Sequence, residues 1–185
     1  MFQRLGAFFL DILQVVVFAV AIFLFVYLLI MRPHKIKGLS MFPTYDNGEY
    51  LLTLSDKLVR QFDKFNRGDV VIFEAPTGNG EEFIKRIIGL PGDTISIKNN
   101  TVIVNNTPLR EDYLEAGETT DGSFFLKEND EKEIPQGKYF VMGDNRNQSS
   151  DSRSWGFVDE RKITGRAWFV YYPFKKAGKV SVATY

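Results

Sequence analysis

Apolar positions follow two regimes along this chain. From residue 15 to residue 31 every side chain is apolar or aromatic, and residues 5–13 extend the run, with Asp11 and Gln14 as polar interruptions. A helix rises about 1.5 Å per residue, so about 20 such residues cross a bilayer's hydrocarbon core. The pattern predicts a transmembrane helix over residues 8–31, a short segment 1–7 before it, and one domain over 32–185. Ala19-Val20-Ala21 has the small-x-small pattern of a cleavable leader, but ten apolar residues follow it where a leader would turn polar. After Met31 no helical period of useful length remains. Short runs rich in β-branched and aromatic residues take over, at 70–73, 83–88, 94–97, 101–104, 139–142 and 167–172, bounded by Gly, Pro, Asn or Asp.

Asn99-Asn100 lies between two of these runs, and Asn tolerates the positive φ of a two-residue hairpin turn. Asn105-Asn106 repeats the device. Residues 55–65 fit a short helix or an irregular loop equally. Residues 76–82 carry Gly78, Asn79 and Gly80 and read as a hairpin tip. Residues 111–133, acidic and punctuated by Gly, read as a surface excursion. There is no internal repeat. The expected fold is mostly β: an N-terminal transmembrane helix followed by one antiparallel β-rich domain.

Composition narrows the chemistry. Of 185 residues, 23 are Lys or Arg and 23 Asp or Glu, so no basic surface for nucleic acid is indicated. There is no Cys and one His, which removes disulfides, thiolate nucleophiles and Cys- or His-rich metal sites. No metal or organic cofactor is expected. The roughly 150 residues beyond the helix suffice for one domain with a real core.

Candidate chemistry begins just past the apolar run, at Ser40 in Gly38-Leu39-Ser40-Met41-Phe42-Pro43-Thr44. A serine hydroxyl needs a base. His34 precedes Ser40 by six residues, about 20 Å in an extended chain, and suits an interfacial role better. The alternative is Lys85, in Lys85-Arg86-Ile87-Ile88-Gly89-Leu90-Pro91-Gly92-Asp93, with Phe83, Ile84, Ile87 and Ile88 around it. Apolar burial disfavours a charged lysine and lowers its pKa. On a strand Lys85 and Arg86 point oppositely, so one can enter an apolar site while the other meets solvent or a carboxylate. A third cluster, Gly143-Asp144-Asn145-Arg146-Asn147-Gln148-Ser149-Ser150-Asp151-Ser152-Arg153, is dense in loop-orienting residues. Asp144 and Asp151 can pair with Arg146, Arg153 or Arg86. Read alone, this cluster fits a polar loop or a phosphate-binding turn.

These three motifs, with Arg67-Gly68-Asp69-Val70-Val71-Ile72-Phe73 between the first two, resemble the ordered motif set of bacterial type I signal peptidases. The resemblance runs from about Ile36 to Arg153. The short stretch between Asp93 and Gly143 is similar to the compact, Gram-positive-like members. The resemblance implies a membrane-anchored serine endopeptidase that cleaves signal peptides from exported preproteins through an acyl-enzyme. Ser40 would be the nucleophile, Lys85 the general base, and Ser149 the hydroxyl that orients the lysine. Asp144, Arg146, Asp151, Arg153 and Arg86 would hold the loop against the site. The Ser40 N–H would donate to the oxyanion. Some family members add a serine hydroxyl where this chain has Gly38, so a second donor here would be backbone. Ile36, Phe83 and Ile84 are candidate walls for small substrate side chains.

The implied partners are preproteins, the lipid bilayer and the secretion translocon, and the implied location is the cell membrane with the domain on the extracytoplasmic side. The positive charges disagree with that orientation. Arg4 precedes the helix, whereas Arg32, Lys35 and Lys37 follow it, which by count places the domain in the cytoplasm. Two other classes share part of the pattern. A self-cleaving repressor-type serine–lysine protease would carry a DNA-binding module rather than an anchor. A membrane assembly chaperone, as in pilus biogenesis, would not need Ser40 and Lys85. General secretion and one dedicated substrate set fit the motifs equally.

Overall fold

The computed structural model describes residues 2–76, 78, 80–180, 182 and 183. Helix α1 spans Phe2–Ile30. Within it Gly6–Tyr27, 22 residues, is long and apolar enough to cross a membrane, and none of this stretch is buried against the protein. At about 1.5 Å per residue it extends about 33 Å, enough for the hydrocarbon core. The helix starts at Phe2 rather than residue 8, and residue 31 already belongs to a strand. Hydropathy marks the stretch that suits lipid, whereas helical hydrogen bonding continues past the polar residues flanking it.

The rest is β-rich. The strands are β1 (Met31–Lys35), β2 (Tyr50–Ser55), β3 (Val70–Glu74), β4 (Glu82–Gly89), β5 (Thr94–Lys98) and β6 (Thr101–Val104). They continue with β7 (Thr107–Pro108), β8 (Glu131–Glu133), β9 (Lys138–Met142), β10 (Val158–Asp159), β11 (Ile163–Tyr172) and β12 (Gly178–Lys179). Two short helices, α2 (Asp56–Phe62) and α3 (Ser152–Trp155), lie between them. Residues 55–65 therefore begin with a short helix. The main sheet runs β1-β2-β11-β3-β4-β9-β10, with β12 on β11, and a second sheet runs β7-β6-β5-β8. All pairings are antiparallel.

The hairpin turns form where the asparagines stand. Asn99 and Asn100 have φ of 50° and 61°, and Asn105 and Asn106 have 50° and 64°. Thr77 and Asn79 of the expected tip between β3 and β4 lie outside the described residues. β1 and β2 were absent from the expected strands. β1 carries Pro33 and three basic or imidazole side chains, a composition that suits only an edge strand, and it is an edge strand.

β3 shows why its sequence has no polar residue before Glu74. Val71 and Phe73 pack on one side with Val59, Phe65, Ile87, Val141 and Ile163. Val70 and Ile72 pack on the other with Ile36, Met41, Tyr45, Leu51 and Val170. A third cluster joins the sheets through Ile88, Ile95, Ile97, Leu126, Ile134, Phe140 and Met142. Leu126 modifies the expectation for residues 111–133. The segment is irregular for most of its length, but it anchors a fully buried leucine in this core.

Candidate active site

The first motif leaves the edge of the main sheet at Gly38, whose φ of +88° is one that side-chain-bearing residues rarely adopt. Met41 and Tyr45 are then buried in the cluster under β3, and the Tyr45 N–H donates to Met41 O at 2.9 Å. With both flanks held, Ser40 faces a cleft. Its own N–H carries no hydrogen bond among the described residues and is available to a substrate oxygen. The Gly38 N–H donates to Asn47 Oδ1 at 3.0 Å. It is already committed and does not serve as the expected second backbone donor in this arrangement.

Lys85 reaches the same point from β4. It is 4% exposed, and its Nζ donates to Ser40 Oγ at 2.7 Å and to Ile84 O at 3.0 Å. Burial lowers its pKa from 10.5 to about 8, against the opposing pull of Asp151 and then Asp144. The Phe83 ring centroid lies 5.5 Å from Nζ, a cation–π contact that offsets part of the desolvation. Arg86, one residue on, points to the other side, as strand geometry requires. It binds Asp144 through Nε at 2.8 Å and Nη2 at 2.6 Å, with both side chains 1% exposed. His34 stands apart from this chemistry. It lies on β1, with Nε2 3.1 Å from Glu82 Oε2.

The third motif is folded by its own ion pairs. Asp151 takes Arg153 through Nε and Nη2, both at 2.9 Å, and accepts the Gly143 N–H at 3.2 Å. Asp144 takes Arg86 and also accepts the Thr44 hydroxyl at 2.5 Å. The Asn145 N–H donates to Ser40 O at 3.0 Å, which ties this loop to the Ser40 segment. Arg146 pairs with neither aspartate. Its partner is Glu111, from the excursion read as surface, and Arg146 also donates to Thr120 Oγ1 at 2.5 Å and Gly143 O at 3.1 Å. Thr44, Asn145, Gly143 and Glu111 are contributions the sequence did not announce. Thr44 sits in the first motif, yet only the fold shows that its hydroxyl meets Asp144. Glu111 has no local signal at all.

Ser149 departs from expectation. Its Oγ is buried and has no hydrogen-bond partner among the described residues. The bond to Lys85 that the resemblance implies is not formed here; Lys85 Nζ donates to Ser40 Oγ and Ile84 O instead. The hydroxyl nevertheless lies inside the site. A Cβ on Gly143 would overlap both Ser149 Oγ and Ser40 O.

The cleft in front of Ser40 encloses about 1010 Å³ and is walled by residues 33–37 on one side and 80–85 on the other. Ile36, Phe83 and Ile84 all line it, with Leu51 and Ile72. Both walls have free strand edges. Among the described residues β1 pairs only with β2, and β4 pairs with β9 only from Arg86 onward, which leaves the outer edge of 82–85 unpaired.

The family model described as "Signal peptidase, peptidase S26" matches residues 9–172. This chain belongs to that family. Signal peptidase I of Bacillus licheniformis is 36% identical over 170 residues, covering 90% of each chain. Signal peptidase I U of Bacillus subtilis (strain 168) is 40% identical over 172 residues, covering 88% of this chain and 87% of the relative. Signal peptidase IB of Staphylococcus aureus (strain N315) is 37% identical over 158 residues, covering 80% and 81%. A crystal structure of a signal peptidase I from Enterococcus faecalis V583 superposes with a TM-score of 0.47 at 33% identity, covering 56% of this chain and 97% of that one. As a member of the S26 family the chain is a serine peptidase. Its three motifs lie in the matched region.

Two outcomes follow from this geometry. Gly143→Ala places a methyl group onto Ser149 and the Ser40 carbonyl, so peptidase activity should fall at least about 100-fold while the protein stays folded, as misplacement by about 1 Å does. Circular dichroism beside an activity assay checks this, and near-normal turnover would contradict it. Lys85→Met should stabilise the fold. Below pH 8 the native state holds a charged lysine whose pKa is depressed from 10.5 to about 8, a cost on the order of 3 kcal/mol. Between those two values the unfolded chain binds more protons than the native one, so wild-type stability recovers as pH rises. The variant's advantage in urea unfolding should therefore be largest near pH 7 and shrink toward pH 10.5. An advantage independent of pH would refute the burial argument.

Proposed function

We propose that this chain is a membrane-anchored signal peptidase I that removes signal peptides from exported preproteins by a Ser40–Lys85 dyad. The observation that carries this reading is the 2.7 Å contact between Lys85 Nζ and Ser40 Oγ, with the lysine buried and its pKa lowered to about 8. A lysine held this way is neutral in a useful fraction of molecules near neutral pH, and only the neutral form can take a proton.

The cleft's two free edges suit an extended peptide. Such a peptide can add as a strand between 33–37 and 82–85, with main-chain hydrogen bonds giving affinity. Its alternate side chains then face Ile36, Ile84 and Phe83, which favour small apolar groups near the scissile bond. Neutral Lys85 takes the Ser40 proton as Oγ attacks the scissile carbonyl carbon. The developing oxyanion meets the Ser40 N–H. The tetrahedral intermediate collapses, the C–N bond breaks, and the lysine proton passes to the leaving amine. The signal peptide remains as an ester on Ser40. Lys85 then takes a proton from water, hydroxide equivalent adds to the ester carbon, and Ser40 leaves with that proton. Ser149, buried beside this pair, is proposed to hold Lys85 when the lysine turns during transfer. Asp144, Arg146, Asp151, Arg153 and Arg86 are proposed to hold the loop and strand in register.

The domain is proposed to face away from the cytoplasm, with preproteins and the bilayer as its partners. Arg32 and Lys35 lie on strand β1 of a folded unit, rather than in a short flexible loop. Large domains translocate with little regard to such charges, which supports this orientation against the positive-inside count.

Purified full-length protein in detergent should convert a preprotein to a product whose new N-terminus follows a small-x-small site. Ser40→Ala and Lys85→Ala should each lower kcat by at least about 1,000-fold. The rate should rise with pH through the Lys85 pKa of about 8 and fall away in acid as the lysine protonates. A wild type inactive on several preproteins while folded, or a flat acid limb, would sink the dyad. A cysteine placed at the exposed Phe124 should react with a membrane-impermeant maleimide in intact cells. Labelling only after lysis would reverse the orientation.

A further inference from the structure

Residues 109–114 belong neither to the three catalytic motifs nor to a long strand, yet they reach into the site from the excursion. Tyr113 lies between the two arginines that brace it. The Arg86 guanidinium carbon sits 4.2 Å from the Tyr113 ring centroid. The Tyr113 hydroxyl accepts from Arg146 Nη2 at 3.2 Å and donates to Glu111 Oε1 at 2.6 Å. Glu111 in turn receives Arg146 through both terminal nitrogens, Nη1 at 3.0 Å on Oε2 and Nη2 on Oε1. The Arg146 side chain is fully buried and that of Glu111 is 9% exposed.

Each arginine is next to a group that reacts or holds one. Arg86 follows Lys85 on β4, so its direction fixes the strand face on which Lys85 emerges. It also grips Asp144, which accepts the hydroxyl of Thr44, four residues beyond Ser40. Arg146 follows Asn145, whose N–H holds the Ser40 carbonyl. Arg146 also caps Gly143 O, and its own carbonyl is held by Arg153 Nη2 at 2.6 Å.

We infer that Glu111 and Tyr113 are positioning residues for the peptidase reaction: one carboxylate and one phenol on a separate segment clamp Arg86 and Arg146, and through them set Lys85 against Ser40. Among the described residues, none of 109–114 lines the cleft. Neither residue lines the cleft wall of 33–37 and 80–85, so substrate binding is left to other residues. The burial makes the clamp sensitive. An arginine with no exposed surface that loses its carboxylate is an uncompensated charge, and the loop carrying it must move toward water. A small movement at Asn145 or Arg86 then opens the 2.7 Å contact on which proton transfer depends.

The inference rests on the Ser40–Lys85 reading, and the experiment separates the two. Full-length wild type, Ser40→Ala, Glu111→Gln, Tyr113→Phe, Tyr113→Leu and Asp112→Asn are compared for kcat, KM and thermal midpoint on one preprotein. Asp112 lies between the two clamp residues, but its pair with Arg110 is exposed, at 71% and 80%. Asp112→Asn should match wild type. Glu111→Gln and Tyr113→Leu should lose roughly 10- to 100-fold in kcat with KM within about twofold, as misplacement of reacting groups by about an ångström does. Tyr113→Phe keeps the ring under Arg86 and should retain more activity than Tyr113→Leu. It carries the test if Glu111→Gln does not fold. Wild-type kcat in folded Glu111→Gln and Tyr113→Leu, a change confined to KM, or losses that track only the folded fraction would overturn the clamp. A wild type as inactive as Ser40→Ala would instead overturn the peptidase reading itself.

Discussion

The structure depends on keeping one lysine out of water. Lys85 has few of the interactions that normally make a buried ammonium tolerable. Its two hydrogen bonds go to a neutral hydroxyl and a neutral carbonyl, and the Phe83 ring, 5.5 Å from Nζ, offers a cation–π contact rather than a counter-charge. The aspartates that favour its charge are both occupied, Asp144 by Arg86 and Asp151 by Arg153. Desolvation therefore wins over attraction, and the pKa falls to about 8. Had either carboxylate been free to turn toward Nζ, the lysine would have held its proton more tightly.

That requirement accounts for the number of arginines in the site. Arg86, Arg146 and Arg153 are all nearly buried, and each has its own carboxylate in Asp144, Glu111 and Asp151. Buried ion pairs are weak contributors to net stability, since desolvation offsets most of their attraction. Their value here is geometric. A guanidinium held by two parallel bonds has a defined direction, which an apolar replacement of equal volume would not supply. The pairs also neutralise one another locally, so the field at Lys85 is set by small differences and by burial. The motif pair Arg67–Asp93 works similarly at the turn after β4, where Arg67 donates to Ile88 O at 2.6 Å and Asp93 caps Leu90 N at 2.7 Å.

The sequence was legible wherever a local rule decided the outcome. Two asparagine pairs announced two hairpins, because few residues accept that backbone. The alternation along β4 separated Lys85 from Arg86 correctly, because strand geometry leaves no choice. The apolar run announced the anchor but not its helical limits. Legibility ended where partners came from afar. Glu111 looked like one acid among many in an acidic segment, and nothing near it in the chain indicates a buried arginine 35 residues away. β1 was hidden by Pro33 and its charges, which only an edge position tolerates. The expected Ser149–Lys85 bond and a free Gly38 N–H were statements about side-chain rotation and a competing acceptor, Asn47, which no spacing rule contains.

The anchor and the cleft share one piece of chain. α1 ends at Ile30, and β1, which begins at Met31, continues into the cleft wall at residues 33–37. No linker separates them. Five strand residues advance the chain by about 17 Å, so the wall starts within that distance of the helix end. A flexible tether of ordinary length would let the domain sample a far larger volume and dilute any membrane-borne peptide relative to Ser40. Direct entry from helix to strand instead fixes the height of the cleft above the bilayer. On the proposed reading, a substrate whose own apolar helix ends at the same surface presents its following residues at that height, in the extended form the two free edges can pair. Recognition on this account is shared between a short side-chain match in the cleft and the depth at which both chains leave the membrane. On the proposed reading, a cleft walled in part by Ile36, Phe83 and Ile84 therefore needs little sequence to tell its substrates from soluble peptides.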